Sequence, residues 1–160
     1  MISVSLLNPQ KDKSHFETVW KWQFEKSAWW QKMYAVWEKD FDGFFQKASR
    51  LNELSFGIFD REKLIGFFTL EELSRGVFNV HVETDRTKIS YEKLFEAVFI
   101  LRRHISEKGG AKIVTCIASI NKPLKRFALN VGFVKTNGKV LRGNFKNKIL
   151  EWEEYFLIIP

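Results

Sequence analysis

The chain has 160 residues, enough for one domain with a core that needs no disulfide or metal staple. Hydrophobic residues make up 45% and charged residues 28%, which excludes a disordered chain, and a single cysteine, Cys116, excludes an internal disulfide framework and points to a reducing compartment. The formal charge of +7 suits an anionic partner, but the basic residues run from Lys11 to Lys148 without a dense block, so a dedicated nucleic-acid surface is not expected.

The opening residues MISVSLLNPQ lack a basic stretch followed by an apolar run, so no signal peptide is expected. No run approaches the roughly 18 apolar residues of a membrane span, and the chain is expected to be cytoplasmic, as a monomer or homodimer. Ile2–Leu7 alternates and stops at Asn8-Pro9, which predicts a first strand. Ser14 with Glu17 three residues on has the capping-box form, so a helix is predicted from Ser14 to about Lys26. Phe16, Trp20 and Phe24 share one of its faces. Trp30, Tyr34 and Trp37 mark a second helical face, which Gly43 should break before Phe44–Arg50. Leu54–Phe59 and Leu64–Leu70 read as a hairpin across the charged turn Asp60–Lys63. Ser74-Arg75-Gly76 is the next turn and Val77–Val82 the next strand. Ser90 opens a long helix to about Lys108, with Leu94, Val98, Leu101 and Ile105 on its apolar face and Gly109-Gly110 at its end. Lys112–Ser119 is an apolar strand. Asn121 caps a short helix with Pro123 in its first turn and Gly132 at its end. Phe133–Phe145 and Leu150–Ile158 are the last strands.

The order is β-α-α-β-β-β-α-β-α-β-β over a single domain, residues 1–160. A run of antiparallel strands followed by a β-α-β unit predicts an α+β fold: a mixed, mainly antiparallel central sheet with flanking helices.

Two segments carry a family likeness. Ile120–Phe133, INKPLKRFALNVGF, follows an apolar strand with an Asn cap, a short helix and Gly-Phe; Phe56–Leu70, FGIFDREKLIGFFTL, is a hairpin with Gly66 in its second strand. Together with the element order, they make the chain resemble the GNAT superfamily of N-acetyltransferases across nearly its whole length. That resemblance implies an acyl-CoA-dependent N-acyltransferase, with acetyl-CoA as co-substrate, an amine acceptor and no metal. It also implies that the loop before the Ser90 helix holds the coenzyme diphosphate. In the family that loop reads Gln/Arg-x-x-Gly-x-Gly/Ala. Here, in VHVETDRTKISYEKLFEAV, Asp85 takes the Gln/Arg place and Lys88 and Ser90 take the two small-residue places. Loop length is kept while every marker residue is changed.

Backbone N–H groups at a helix start bind anions whatever the side chains. Arg86, Thr87, Lys88, Ile89 and Ser90 are therefore the expected cofactor-binding loop, with Val80 and Val82 as backbone donors to the thioester carbonyl and Asn121 as a further contact. The plainer role of Asn121 is its helix cap. Asp85 in this loop would repel an anion. His81 and Glu83 are the candidate bases, with Glu71 and Glu72 as weaker ones. The tyrosine acid that many family members carry four residues before the Gly-Phe is Ala128 here. Cys116 is expected to be a buried small hydrophobe. Three scattered histidines and one cysteine give no zinc spacing. Trp22, Trp29 and Trp30 lie on or near the first two helices, which flank the acceptor side in the family. Trp22 and Trp29 fall off the Phe16–Trp20–Phe24 face, and are read either as lining the acceptor pocket or a partner surface or as simple packing. The rival reading is a catalytically inactive binding or structural module, favoured by the altered loop and the missing tyrosine.

Overall fold

Tight turns set the register of the first half of the sheet. In the computed structural model, which describes residues 1–24, 40–145 and 147–160, β1 (Ile2–Leu6) lies antiparallel to β2 (Glu53–Asp60). β2 turns into β3 (Lys63–Ser74) through Arg61 and Glu62, with Arg61 in the left-handed region at φ 58°. β3 turns into β4 (Val77–Thr84) through Arg75 and Gly76, and Gly76 takes φ 77°, where a side chain would be strained. The hairpin strands are longer than the sequence predicts because pairing runs to within two residues of each turn.

α1 (Lys13–Phe24) precedes α2 (Phe41–Ala48). α1 starts one residue before the predicted cap. Asn8 and Asp12 close a turn on each other, Asp12 N–H to Asn8 C=O at 2.8 Å and Asn8 N–H to the Asp12 carboxylate at 2.8 Å, and the helix leaves from it. Ser14 therefore sits inside α1. Gly43 breaks nothing: its N–H donates to the Asp40 carboxylate at 2.8 Å, so it lies in the capped first turn of α2. The predicted stretch around Trp30, Tyr34 and Trp37 lies outside the described residues.

α3 (Tyr91–Glu107) crosses from β4 to β5 (Lys112–Ala118), and α4 (Lys122–Val131) leads to β6 (Val134–Phe145) and β7 (Lys148–Ile158). Ser90 and Asn121 cap α3 and α4 as expected, each accepting an N–H at 3.3 Å. Gly109 at φ 77° and Gly132 at φ 108° end them. Among the described residues seven strands form one sheet in the order β1-β2-β3-β4-β5-β7-β6, and there only β4 and β5 run parallel. This is the mixed, mainly antiparallel α+β sheet that the sequence predicts.

Helices cover both faces. α3 and α4 press Leu101, Ile105 and Phe127 onto Phe56, Ile58, Phe68, Leu70, Phe78 and Ile113. α1 and α2 bury Phe16, Val19, Trp20 and Phe44 against Phe67 on the other face, with the Phe16 ring edge-on to Phe67 at 5.4 Å. Burying a ring such as Phe16 contributes roughly 1.5–3 kcal/mol. Trp22, expected off this face, is 7% exposed and belongs to the same cluster, because Leu7 and α2 wrap α1 on a second side.

Candidate active site

The site begins where β4 and β5 part. They pair only from Val77–Asn79 against Lys112–Val114. In an antiparallel ladder each residue points its N–H and C=O to one edge, and the edges alternate along the strand. Asp85 N–H bonds Ile65 C=O, so the odd-numbered residues of β4 face β3 and Val80, Val82 and Thr84 face β5. Val80 is already occupied. Its N–H completes the last parallel rung to Val114, and its carbonyl accepts the Thr115 hydroxyl at 3.0 Å. Val82 is then the first residue of β4 with both backbone groups turned to the gap. The gap opens into a cleft of about 390 Å³, whose lining includes Val82, Arg86, Ser90, Cys116, Asn121 and Phe127. An apolar slot of about 60 Å³ runs beneath it between Phe68, Val80, Val82 and Ile113.

Asp85 organises the loop at the mouth. Its buried carboxylate accepts the Thr87 N–H at 3.0 Å and the Thr87 hydroxyl at 2.7 Å, and pairs with the Lys88 ammonium at 2.7 Å. Its carbonyl accepts the N–H groups of Lys88 and Ile89. Burial alone would raise the Asp85 pKa, but the bonds from Lys88 and Thr87 outweigh it and hold the carboxyl below its ordinary range. The expected anion repulsion from Asp85 is thus offset inside the loop.

The same bonds sort the expected loop residues between two grooves. Thr87 and Lys88 turn away from the cleft and line a separate groove beside Asp60, Lys63 and Lys93. Val82, Arg86, Ile89, Ser90 and Asn121 line the cleft, while Val80 lines the slot. Among the described residues the N–H groups of Arg86, Ser90 and Tyr91 make no hydrogen bond. Glu92 crowds them: its carboxylate accepts its own N–H and the Ser90 hydroxyl, which lowers its pKa.

His81 and Glu83 alternate with Val80 and Val82, so their side chains lie on the α1/α2 side of the sheet, and both border the cleft. Asn79 Nδ2 and His81 Nε2 are 3.1 Å apart. Burial, and then the charge of Lys47 on α2, push the His81 pKa down to about 4. Ala128, at the family's tyrosine place, is buried in the core. The nearby Tyr155 gives no substitute: its hydroxyl donates to Glu153 at 2.8 Å, burial and that carboxylate push its pKa up to about 12, and it is not part of the cleft lining. Trp29 and Trp30 lie outside the described residues.

Sequence reasoning missed Tyr91, Thr115 and the exposure of Cys116, all of which line the cleft. Cys116 was expected to be buried and is only partly so, because the parting of β4 uncovers β5 at that level. Tyr91 lies edge-on to Phe127 at 5.0 Å, and its hydroxyl accepts Asn130 Nδ2 at 2.8 Å.

No protein-family model and no curated protein sequence matches the chain. Solved structures do. A probable acetyltransferase from Staphylococcus epidermidis superposes over 100% of both chains with a TM-score of 0.78 at 16% identity. Mutant forms of the spermidine/spermine N-acetyltransferase SpeG from Vibrio cholerae cover 99% of this chain and 95% of their own, with a TM-score of 0.75 at 14% identity. The Vibrio cholerae spermidine N-acetyltransferase, seen as a dodecamer, matches over 98% and 93% with a TM-score of 0.75 at 13% identity. The resemblance to the GNAT superfamily therefore holds at the level of the fold, which is the acyl-CoA N-acyltransferase-like one. Among the described residues no helix is long and apolar enough to cross a membrane.

Proposed function

We propose that the chain is an acyl-CoA-dependent N-acyltransferase that moves an acetyl group from acetyl-CoA to an amine. The observation that carries this reading is the gap between β4 and β5, with Val82 turned into it and unbonded N–H groups of Ser90 and Tyr91 at its mouth. The donor set fits the co-substrate. Ser90 and Tyr91 N–H groups at a helix start, with the exposed Arg86 guanidinium beside them, suit a diphosphate. The apolar slot suits a narrow hydrocarbon arm.

Val82 N–H would polarise the thioester carbonyl, a role that needs no particular side chain. The amine would enter from the α1/α2 side, where His81 and Glu83 border the gap. His81 stays neutral at pH 7 and accepts a hydrogen bond, but with a pKa of about 4 it is a weak proton acceptor. Glu83 is therefore the base of this scheme, acting directly or through water. With alanine at position 128 the thiolate leaves without a tyrosine acid and takes its proton from solvent. The Glu92 carboxylate at the helix start accepts its own N–H and the Ser90 hydroxyl, so a bound diphosphate would have to share that end of the helix with it.

The experiment is a thiol-release assay with acetyl-CoA and a panel of primary amines, run on wild type and Val82→Pro. Proline removes an N–H that no strand uses, so the fold should survive. Turnover should fall about 100-fold or more, the cost of losing one carbonyl-polarising donor. Absence of turnover in wild type with every amine would favour the inactive module.

A further inference from the structure

α3 carries a row of aromatic rings on its solvent side. Tyr91, Phe95 and Phe99 recur every four residues, and they are 46%, 45% and 57% exposed. A helix that only had to cover the sheet would keep such rings inward, where Leu101 and Ile105 already lie. Three half-exposed rings leave roughly 300 Å² of apolar surface in one patch, the scale at which a surface patch marks an interaction site.

Charges flank the rings in a set order. Glu92 and Glu96 stand beside the first half of the row and Arg102 and Arg103 beside the second, and among the described residues none of the four is in an ion pair. The helix dipole favours acids first and bases last on any helix, but it gives no reason for exposed rings between them. Equal numbers of both signs suit neither a nucleic acid nor an anionic membrane. They suit the same surface turned end for end. Glu92 and Arg103 are eleven residues apart, so they lie within about 20° of each other around the axis, on one flank of the rings. Tyr91 and Arg102 have the same spacing and lie on the other flank. An antiparallel two-fold pairing puts each flank against its own copy. With Phe95 of one copy on Phe99 of the other, Glu92 meets Arg103, and Tyr91 meets Arg102 as a ring beside a cation.

We propose that two copies of this chain pair antiparallel along α3, and that Arg103 of each copy neutralises Glu92 at the mouth of the other's cleft. The pairing stands on the surface alone; its effect on the cleft rests on the acyltransferase reading. Glu92 accepts the Ser90 hydroxyl and its own N–H, and Tyr91 lines the cleft, so the partner's Arg103 would bring a cation to the diphosphate seat. One crossed helix pair buries less than the ~800 Å² per partner of a standard interface, so the dimer is micromolar rather than obligate.

The test is sedimentation velocity over a wide range of protein concentration reaching the high micromolar. Wild type shifts from monomer to dimer across it. Phe99→Asp stays monomeric, since it puts a carboxylate in the centre of the apolar contact. Arg103→Glu weakens the dimer about tenfold or more, because like charges then face each other twice per dimer. Glu92→Arg combined with Arg103→Glu restores it, as antiparallel self-pairing requires. Melting temperatures check that these exposed substitutions leave the fold intact. Monomeric wild type at every concentration, a dimer indifferent to Phe99→Asp, or a charge swap that does not recover overturns the pairing. Acetyl-CoA is titrated separately, below and above the dimer midpoint, and binds more tightly above it. Equal affinity on both sides of the midpoint overturns the role of Arg103 at the seat. Dimerisation without acetyl-CoA binding leaves the pairing standing and removes the acyltransferase reading; acetyl-CoA binding to a protein that stays monomeric does the reverse.

Discussion

The two faces of the sheet are built from different chemistry. Under α3 and α4 the inward residues are hydrocarbon, and Phe56, Ile58, Phe68, Leu70, Phe78 and Ile113 are all at most 5% exposed. Under α1 and α2 the face is aromatic around Phe16 and Phe67 and then turns polar, with Ser55, Thr69 and His81 in one row and Glu53, Glu71 and Asn79 in the next. Of these six only Glu53 and Ser55 are buried, so this face contributes less apolar burial than the other. The α3/α4 face holds the sheet together. The α1/α2 face turns from aromatic to polar towards His81 and Glu83.

Two neighbouring residues on β3 put this contrast to the test. Leu70 points into the hydrocarbon face and Thr69 into the polar one. Leu70→Ala should cost about 2–5 kcal/mol in urea unfolding. Thr69→Ala should stay within about 1 kcal/mol. Equal costs would mean that both faces are structural.

His81 gives the polar face a pH signature. Its folded pKa is lowered, from 6.5 to about 4, by burial and the Lys47 charge, so between those values the unfolded chain binds the proton and the folded one does not. Stability is therefore complete above pH 6.5 and is lost as the pH falls towards 4. The loss is up to about 3 kcal/mol, an upper bound because part of the ring reaches the cleft. His81→Gln should flatten that slope in urea unfolding at pH 7 and pH 4.5. An unchanged slope would assign the pH dependence to other groups.

The smallest effect separates two cations of one loop. Arg86 lines the cleft, whereas Lys88 is paired with Asp85 and faces the other groove. Arg86→Ala should weaken acetyl-CoA about tenfold, on the scale of one charge-assisted hydrogen bond. Lys88→Ala should change it by about threefold at most, as expected of an exposed ion pair. Calorimetry on both variants decides it, and a larger loss at Lys88 would reverse the assignment.

Element order, turns and caps were legible because each depends on local chemistry: Gly76, Gly109 and Gly132 at positive φ, and Ser90 and Asn121 at helix starts. The orientation of Thr87 and Lys88 was not legible. No periodicity governs an irregular loop, and Asp85 decides it through bonds that appear only when the loop is closed. Trp22 stayed undecided between pocket and packing because the face of an isolated helix does not show that Leu7 and α2 cover a second side. The opposition of Glu53 and Glu71 needed the register. That register depends on a two-residue turn at Arg61 and Glu62 and an irregularity at Ile58/Phe59, and one residue's slip moves every side chain to the other face.

On the acyltransferase reading, the gap between β4 and β5 seats an acyl-CoA through backbone N–H groups. Amide chemical shifts followed during acetyl-CoA titration test it most directly. The expected result is the largest changes at Val82, Ser90 and Tyr91, with Thr87 and Lys88 little moved. Changes confined to Thr87, Lys88 and the groove beside Asp60, or no change anywhere at saturating acetyl-CoA, would contradict it.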